Sequence, residues 1–126
     1  MSVGAQNRLR VASLIGAIVV TSLLHYLTPT SHIILPPLLQ RAYWIPILLM
    51  ALWFGWRGGL FAATLAGVLY IPHIVMAWES NTEYSIAQHV EIGMFFVIAP
   101  LIGILADAER RQKQKIQETA GGVGAK

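Results

Sequence analysis

Four histidines, His25, His32, His73 and His89, and three glutamates, Glu79, Glu83 and Glu91, lie at or near the same end of successive apolar stretches. Imidazole nitrogens and carboxylates suit Zn, Cu, Ni or Fe, and three or four such ligands from different helices can form a site inside a bundle. On that reading, His25, His73, His89 and Glu91 form the candidate divalent-metal set. One or two correctly aimed imidazoles would equally serve haem iron, a chlorophyll-type magnesium or a quinone carbonyl. The spacing weighs against a compact metal site: no His-x-x-x-His pair marks a single helix, and residues 89 and 91 point about 200° apart around a helix. The plainer alternative is a layer of interfacial polar groups bonded to backbone or lipid headgroups. His32, set among prolines, is the weakest candidate.

Arg41 and Glu91 each fall about one helical turn inside the predicted membrane boundary, where an isolated charge is costly, so the two are expected to pair. Tyr43, Trp44 and Tyr70 could line a pocket on the same half. The candidate ligand-binding set is therefore His25, Arg41, Tyr43, His73, His89 and Glu91. An interfacial belt accounts for the aromatics more simply, since Tyr26, Trp53, Trp56, Trp78 and Tyr84 also lie towards span ends.

The elements that must position these groups are membrane helices. Of 126 residues, 56% are hydrophobic and 12% charged, and mean hydropathy is +0.60. At about 20 residues per span, the chain has room for roughly four helices and short loops, with no space for a separate soluble enzyme domain. Cysteine is absent, which removes disulfides, thiolate metal sites and cysteine nucleophiles. The pI near 9.6 comes largely from Lys and Arg at the two ends, a topology signal and not a nucleic-acid footprint.

The first apolar run, 11–27, follows Arg8 and Arg10. It resembles a signal peptide but lacks a small-residue cleavage pattern, so a retained helix is expected. Pro29, Pro36 and Pro37 break the next segment, predicting an outer loop with a short interfacial helix. The run 42–56 is only about 22 Å long as a helix, short of a hydrocarbon core of about 30 Å, so the second span must recruit residues 38–41. A tight turn is expected over Gly55-Trp56-Arg57-Gly58-Gly59. The third span, about 60–78, carries Gly59, Ala63 and Gly67 on one face, a strip suited to close helix packing, and Pro72 should kink it. The fourth span covers about 86–106.

A cytoplasmic helical extension is predicted from about 107, with Asp107–Arg111 and Glu109–Lys113 spaced for i,i+4 ion pairs. Residues 1–118 form the membrane domain and 119–126 a flexible tail. With Arg8, Arg10, Arg57 and the basic tail inside, both termini are cytoplasmic. The predicted fold is thus an all-α integral membrane bundle of four transmembrane helices.

His25-Tyr26-Leu27-Thr28-Pro29, Arg41-Ala42-Tyr43 with Pro46, Phe54-Gly55 with Gly58-Gly59, Tyr70-Ile71-Pro72-His73, Glu91, and Gly103 with Ala108-Glu109-Arg110 occur in order along nearly the whole chain. This set resembles the N-terminal membrane input domain of a group of bacterial sensor histidine kinases. The resemblance implies that the last span passes into a helix coupled to downstream modules. No phosphoacceptor-histidine helix or glycine-rich ATP module follows Glu118, so catalysis is not expected of these residues.

Two functions remain open. One is a ligand-sensing input module in the bacterial inner membrane. The other is an accessory subunit of a larger bioenergetic or photosynthetic membrane complex, docking other membrane chains or a second copy through the small-residue face. A transporter is disfavoured, because the central stretches offer little polarity beyond Thr64. The bilayer is the one partner that composition requires.

Overall fold

The computed structural model describes residues 2–28, 34–77 and 82–124, and every regular element among them is an α-helix. These are α1 (Val3–Leu27), α2 (Leu35–Ala42), α3 (Trp44–Ala77) and α4 (Thr82–Gly124). Three helical stretches, Val3–Leu27, Pro37–Met76 and Ser85–Gly122, are long and apolar enough to cross a membrane. The chain is a multi-pass membrane protein. The predicted loop residue His32, and also Trp78 and Glu79, lie outside the described residues.

α1 starts earlier than the apolar run because Ser2 caps it, its Oγ accepting from the Ala5 N–H at 3.2 Å. α2 and α3 are nearly continuous. Tyr43 between them keeps right-handed helical angles (φ −60°, ψ −29°), and its N–H donates to Gln40 O at 3.2 Å while its carbonyl accepts from Ile47 at 3.2 Å. Residues 35–54 therefore make about 30 Å of helix, which explains how a short apolar run recruits residues 38–41.

α3 reverses direction at Gly55. This residue alone leaves helical geometry, with φ 77° and ψ −162°, a combination essentially restricted to glycine. Two contacts establish the reversal. Ala51 Cβ lies 3.0 Å from where a Cβ on Gly59 would stand, and the Tyr43 and Tyr70 rings are 5.4 Å apart, although a straight helix would separate those two residues by about 40 Å. The predicted five-residue turn is thus tighter: Trp56 to Gly59 already belong to the second arm. Pro72 sits within that arm without any departure from helical angles.

The α3 hairpin lies between α1 and α4, whose backbones do not touch among the described residues. Each helix turns one stripe inward: Leu14, Ile18, Ser22 and His25 on α1, Ile47 and Met50 then Ala62, Ala66 and Tyr70 on the two arms, and Gln88, Ile92, Phe95 and Ala99 on α4. These three- and four-residue steps keep one face aligned along a helix. Val20, Leu23, Phe61, Val68, Val97 and Leu101 point outward. That suits lipid, which is as apolar as these side chains and so gives them no reason to bury.

Close approach must therefore come from small residues. Gly59 meets the Ala99 carbonyl of α4, 2.7 Å from its missing Cβ, and Gly67 meets Phe96 and Ile92 of α4 at 3.5–3.7 Å. Ala63, on the same strip, is fully buried. The strip predicted for packing is thus used within the chain and is not free to dock a partner, which corrects the surface assigned to an accessory subunit. Deeper still, a Cβ on Gly103 of α4 would overlap the backbone of Trp56, and one on Gly55 would overlap the Asp107 carboxylate.

Gly103→Ala should therefore destabilise the protein by about 1–3 kcal/mol, the usual cost of overpacking. Gly93→Ala, with open space around it, should be neutral or stabilising by up to about 1 kcal/mol. Thermal unfolding in detergent checks both, and equal melting temperatures for the two variants would refute this account of the turn.

Candidate functional site

At the end of the bundle remote from Gly55, buried polar and aromatic side chains gather between α1, the α3 hairpin and α4. His73 lies about 27 Å along the second arm from the turn. Ser22, His25, Gln40, His73 and Gln88 are all buried there. The Ser22 hydroxyl donates to Ile18 O at 2.8 Å, so Tyr43 is the donor in their 2.6 Å hydroxyl pair. The Tyr70 hydroxyl donates to Gln88 Oε1.

The His25 ring stands edge-on to Tyr70 (4.6 Å) and His73 (4.4 Å), and Tyr26 closes on His73 at 4.8 Å. Among the described residues, His25 Nδ1 and Nε2 and Gln40 Nε2 have no hydrogen-bond partner, a condition few buried polar atoms tolerate.

Local sequence explains the gathering. Ser22 with His25, and Tyr70 with His73, are three apart and so share a helix face. Pro72 lacks an N–H and crowds the preceding turn, and the nearby Leu69 carbonyl accepts the Tyr26 hydroxyl at 2.9 Å. Loosened carbonyls in a membrane helix are commonly satisfied in this way by a neighbouring helix.

Of the predicted site residues, His25, His73 and Tyr43 come together, and His89, Glu91 and Arg41 do not join them. His89 is exposed, its Nδ1 paired with the Ser85 carbonyl of its own helix at 2.7 Å. Glu91 accepts from Trp44 Nε1 at 3.3 Å. Inward-facing Gln88 sets the register of α4 and swings His89 and Glu91 to opposite flanks.

The four-ligand metal set is consequently not assembled, and no group of three or more His, Cys, Asp or Glu gathers among the described residues. Nor does His25, 1% exposed and walled by Tyr70 and His73, present an open side to a haem or chlorophyll macrocycle. Arg41 and Glu91 make no direct ion pair among the described residues; they line one groove instead.

Ser22, Gln40 and Gln88 were missed by sequence reasoning because each is uncharged. The available signal was positional: Gln88 leads the stripe continued by Ile92, Phe95 and Ala99, and Ser22 extends that of Leu14 and Ile18.

At the opposite end, Arg10 lies 4.8 Å over the Trp53 ring and Arg57 5.4 Å over Trp56. Asp107 of α4 accepts from the Trp56 N–H at 3.4 Å, placing a carboxylate at the start of the second arm, where the helix dipole favours it. Asp107 pairs with Arg110 at 3.2 Å, replacing the expected Arg111, while Glu109–Lys113 forms as predicted at 2.8 Å. Lys113 holds the exposed Glu109 carboxyl below its usual range. α4 stays helical to Gly124, past the point where the sequence suggests a loose tail.

A helical multi-pass membrane domain with a buried polar cluster at one end and a long helix leaving the other defines the class. Residues 9–119 match the family described as a domain of unknown function, DUF4118, and the chain belongs to that family, whose members are membrane input domains at the N-terminus of bacterial sensor histidine kinases. No curated protein and no solved structure matches the chain.

The Ser22–Tyr43 bond predicts a coupling energy of about 0.6 kcal/mol, the average for side-chain hydrogen bonds between membrane helices, and at most about 1.7 kcal/mol. A double-mutant cycle with Ser22→Ala and Tyr43→Phe, read by unfolding in detergent, measures it. Strict additivity of the two substitutions would show that the bond contributes nothing.

Proposed function

We propose that the chain is a non-catalytic sensory input module of the bacterial inner membrane, crossing it four times with both ends cytoplasmic. The charge distribution supports this orientation. Arg10 and Arg57 sit at the Gly55 end, where Asp107 and Arg110 of α4 also lie, and Arg111, Lys113 and Lys115 follow on the exposed helix. Among the described residues, the other end carries Arg41 with Glu83 and Glu91. Basic residues are retained on the cytoplasmic side. α1, the two arms of α3 and α4 supply the four crossings, and α2 is the short helix entering from the outer interface.

The observation that carries the reading is Tyr70. It packs on His25 of α1 and bonds to Gln88 of α4, although those two helices share no backbone contact. α4 then runs from Gln88 as a single helix to Gly124, ending well beyond the membrane core. A small ligand engaging the buried nitrogens of His25 or the Gln40 amide would act on Tyr70 and, through Gln88, on α4. It biases the module only by binding one arrangement better than another. The ligand class that fits is small and hydrogen-bonding, since three buried polar side-chain atoms have no hydrogen-bond partner among the described residues.

Placing the chain ahead of a soluble histidine-kinase module, in lipid vesicles, tests the proposal. Gln88→Ala should change autophosphorylation about threefold or more, while Leu101→Ala, on the lipid-facing side, should not. Equal output from both fusions would overturn the sensory reading.

A further inference from the structure

Apart from the buried cluster, the outer half carries a shallow groove of about 230 Å³ between the α2–α3 junction and α4, lined by Arg41, Trp44, Ala87, Val90, Glu91 and Met94. We infer that this groove binds the headgroup of a zwitterionic phospholipid bearing a primary ammonium, of the phosphatidylethanolamine type.

Its volume is below the roughly 300–1,000 Å³ of pockets that enclose a whole drug-sized ligand. It suits a ligand that inserts one part and leaves the rest along the protein surface. Its charges are the second argument. Arg41 and Glu91 face the same groove yet make no ion pair among the described residues, and opposite charges at the edge of a bilayer are expensive to leave without counter-charge.

Glu91 is held by the Trp44 indole N–H at 3.3 Å through Oε1, which fixes the carboxylate and leaves its other oxygen for a ligand. Trp44 is itself braced edge-on against Phe95 at 4.7 Å. Arg41 has no partner among the described residues, and its planar guanidinium presents parallel N–H groups to two phosphate oxygens.

A phospholipid with a primary ammonium satisfies both ends together, phosphate on Arg41 and ammonium on Glu91. Val90 and Met94 follow one another down α4, both exposed, and offer an apolar track for the acyl chain. A quaternary ammonium has no N–H to give Glu91. A glycerol headgroup has no positive charge, and Glu91 repels its net negative one. The inference needs only that the chain spans a membrane and is independent of the sensory reading.

Native mass spectrometry of the delipidated full-length protein, offered equal amounts of dioleoyl phosphatidylethanolamine, phosphatidylcholine and phosphatidylglycerol, is the test. The ethanolamine lipid should be retained about tenfold or more over each of the others, the size expected for one hydrogen bond to a charged group. Glu91→Gln should abolish its advantage over the choline lipid, and Arg41→Gln should lower retention of both. Ala87 is an exposed groove residue, so Ala87→Trp should fill the groove and reduce retention with helicity unchanged, which keeps the test valid if either charge variant misfolds. Equal retention of the three lipids by the native chain, or undiminished retention of the ethanolamine lipid by Ala87→Trp, would overturn the inference.

Discussion

Tyr70 joins two helices whose backbones never meet. Its ring packs against His25 of α1 and its hydroxyl reaches Gln88 of α4, so at the end of the bundle remote from Gly55 one side chain projects both ways from the hairpin, beside the Ser22–Tyr43 bond. The setting gives this bridge its strength. In hydrocarbon no water can replace a lost hydrogen bond, and apolar surface gains nothing by leaving lipid for protein. Polar contacts and close backbone approach are what remain to order the helices, and the molecule places one at each end.

The Gly55 end depends on close approach. Gly55 reverses the chain in a backbone conformation closed to other residues, Gly103 lets the turn settle on α4, and Asp107 receives the first free N–H of the second arm. The opposite end depends on polarity, through Ser22–Tyr43 and Tyr70–Gln88. α4 takes part in both. Fixed against glycine at one end and gripped through Gln88 at the other, it leaves the bundle as an unbroken helix. A disturbance at the buried polar cluster then has a rigid element on which to act, and that element continues past the Gly55 end of the bundle.

Much of this was legible in the sequence, for physical reasons. Long charge-free runs fix the helices, and glycine at 55, 58 and 59 marks a reversal because few other residues can make one. His25 and His73 could be placed at one depth by counting residues at 1.5 Å per step. Depth, however, does not give direction around the helix. His89 and Glu91 have the right depth and the wrong azimuth, because Gln88 takes the inward position, and a neutral amide in an apolar run gives little warning of that. Arg41 and Glu91 illustrate the same limit, being close enough to share a groove while Trp44 takes the carboxylate first. Asp107 pairs with Arg110 through one oxygen and accepts from the Trp56 N–H through the other, a contact made across helices and invisible to local spacing.

Tyr70 thus sets the relation of α1 to α4. The chain has no cysteine, so cysteines introduced at Asn7 and Gln114 can be spin-labelled cleanly and their separation measured by double electron–electron resonance in lipid nanodiscs. Tyr70→Phe should shift or broaden the distance distribution, while Thr64→Ala, whose hydroxyl bonds only to Leu60 of its own helix, should leave it as in the native protein. Superimposable distributions for Tyr70→Phe and the native chain would contradict the account.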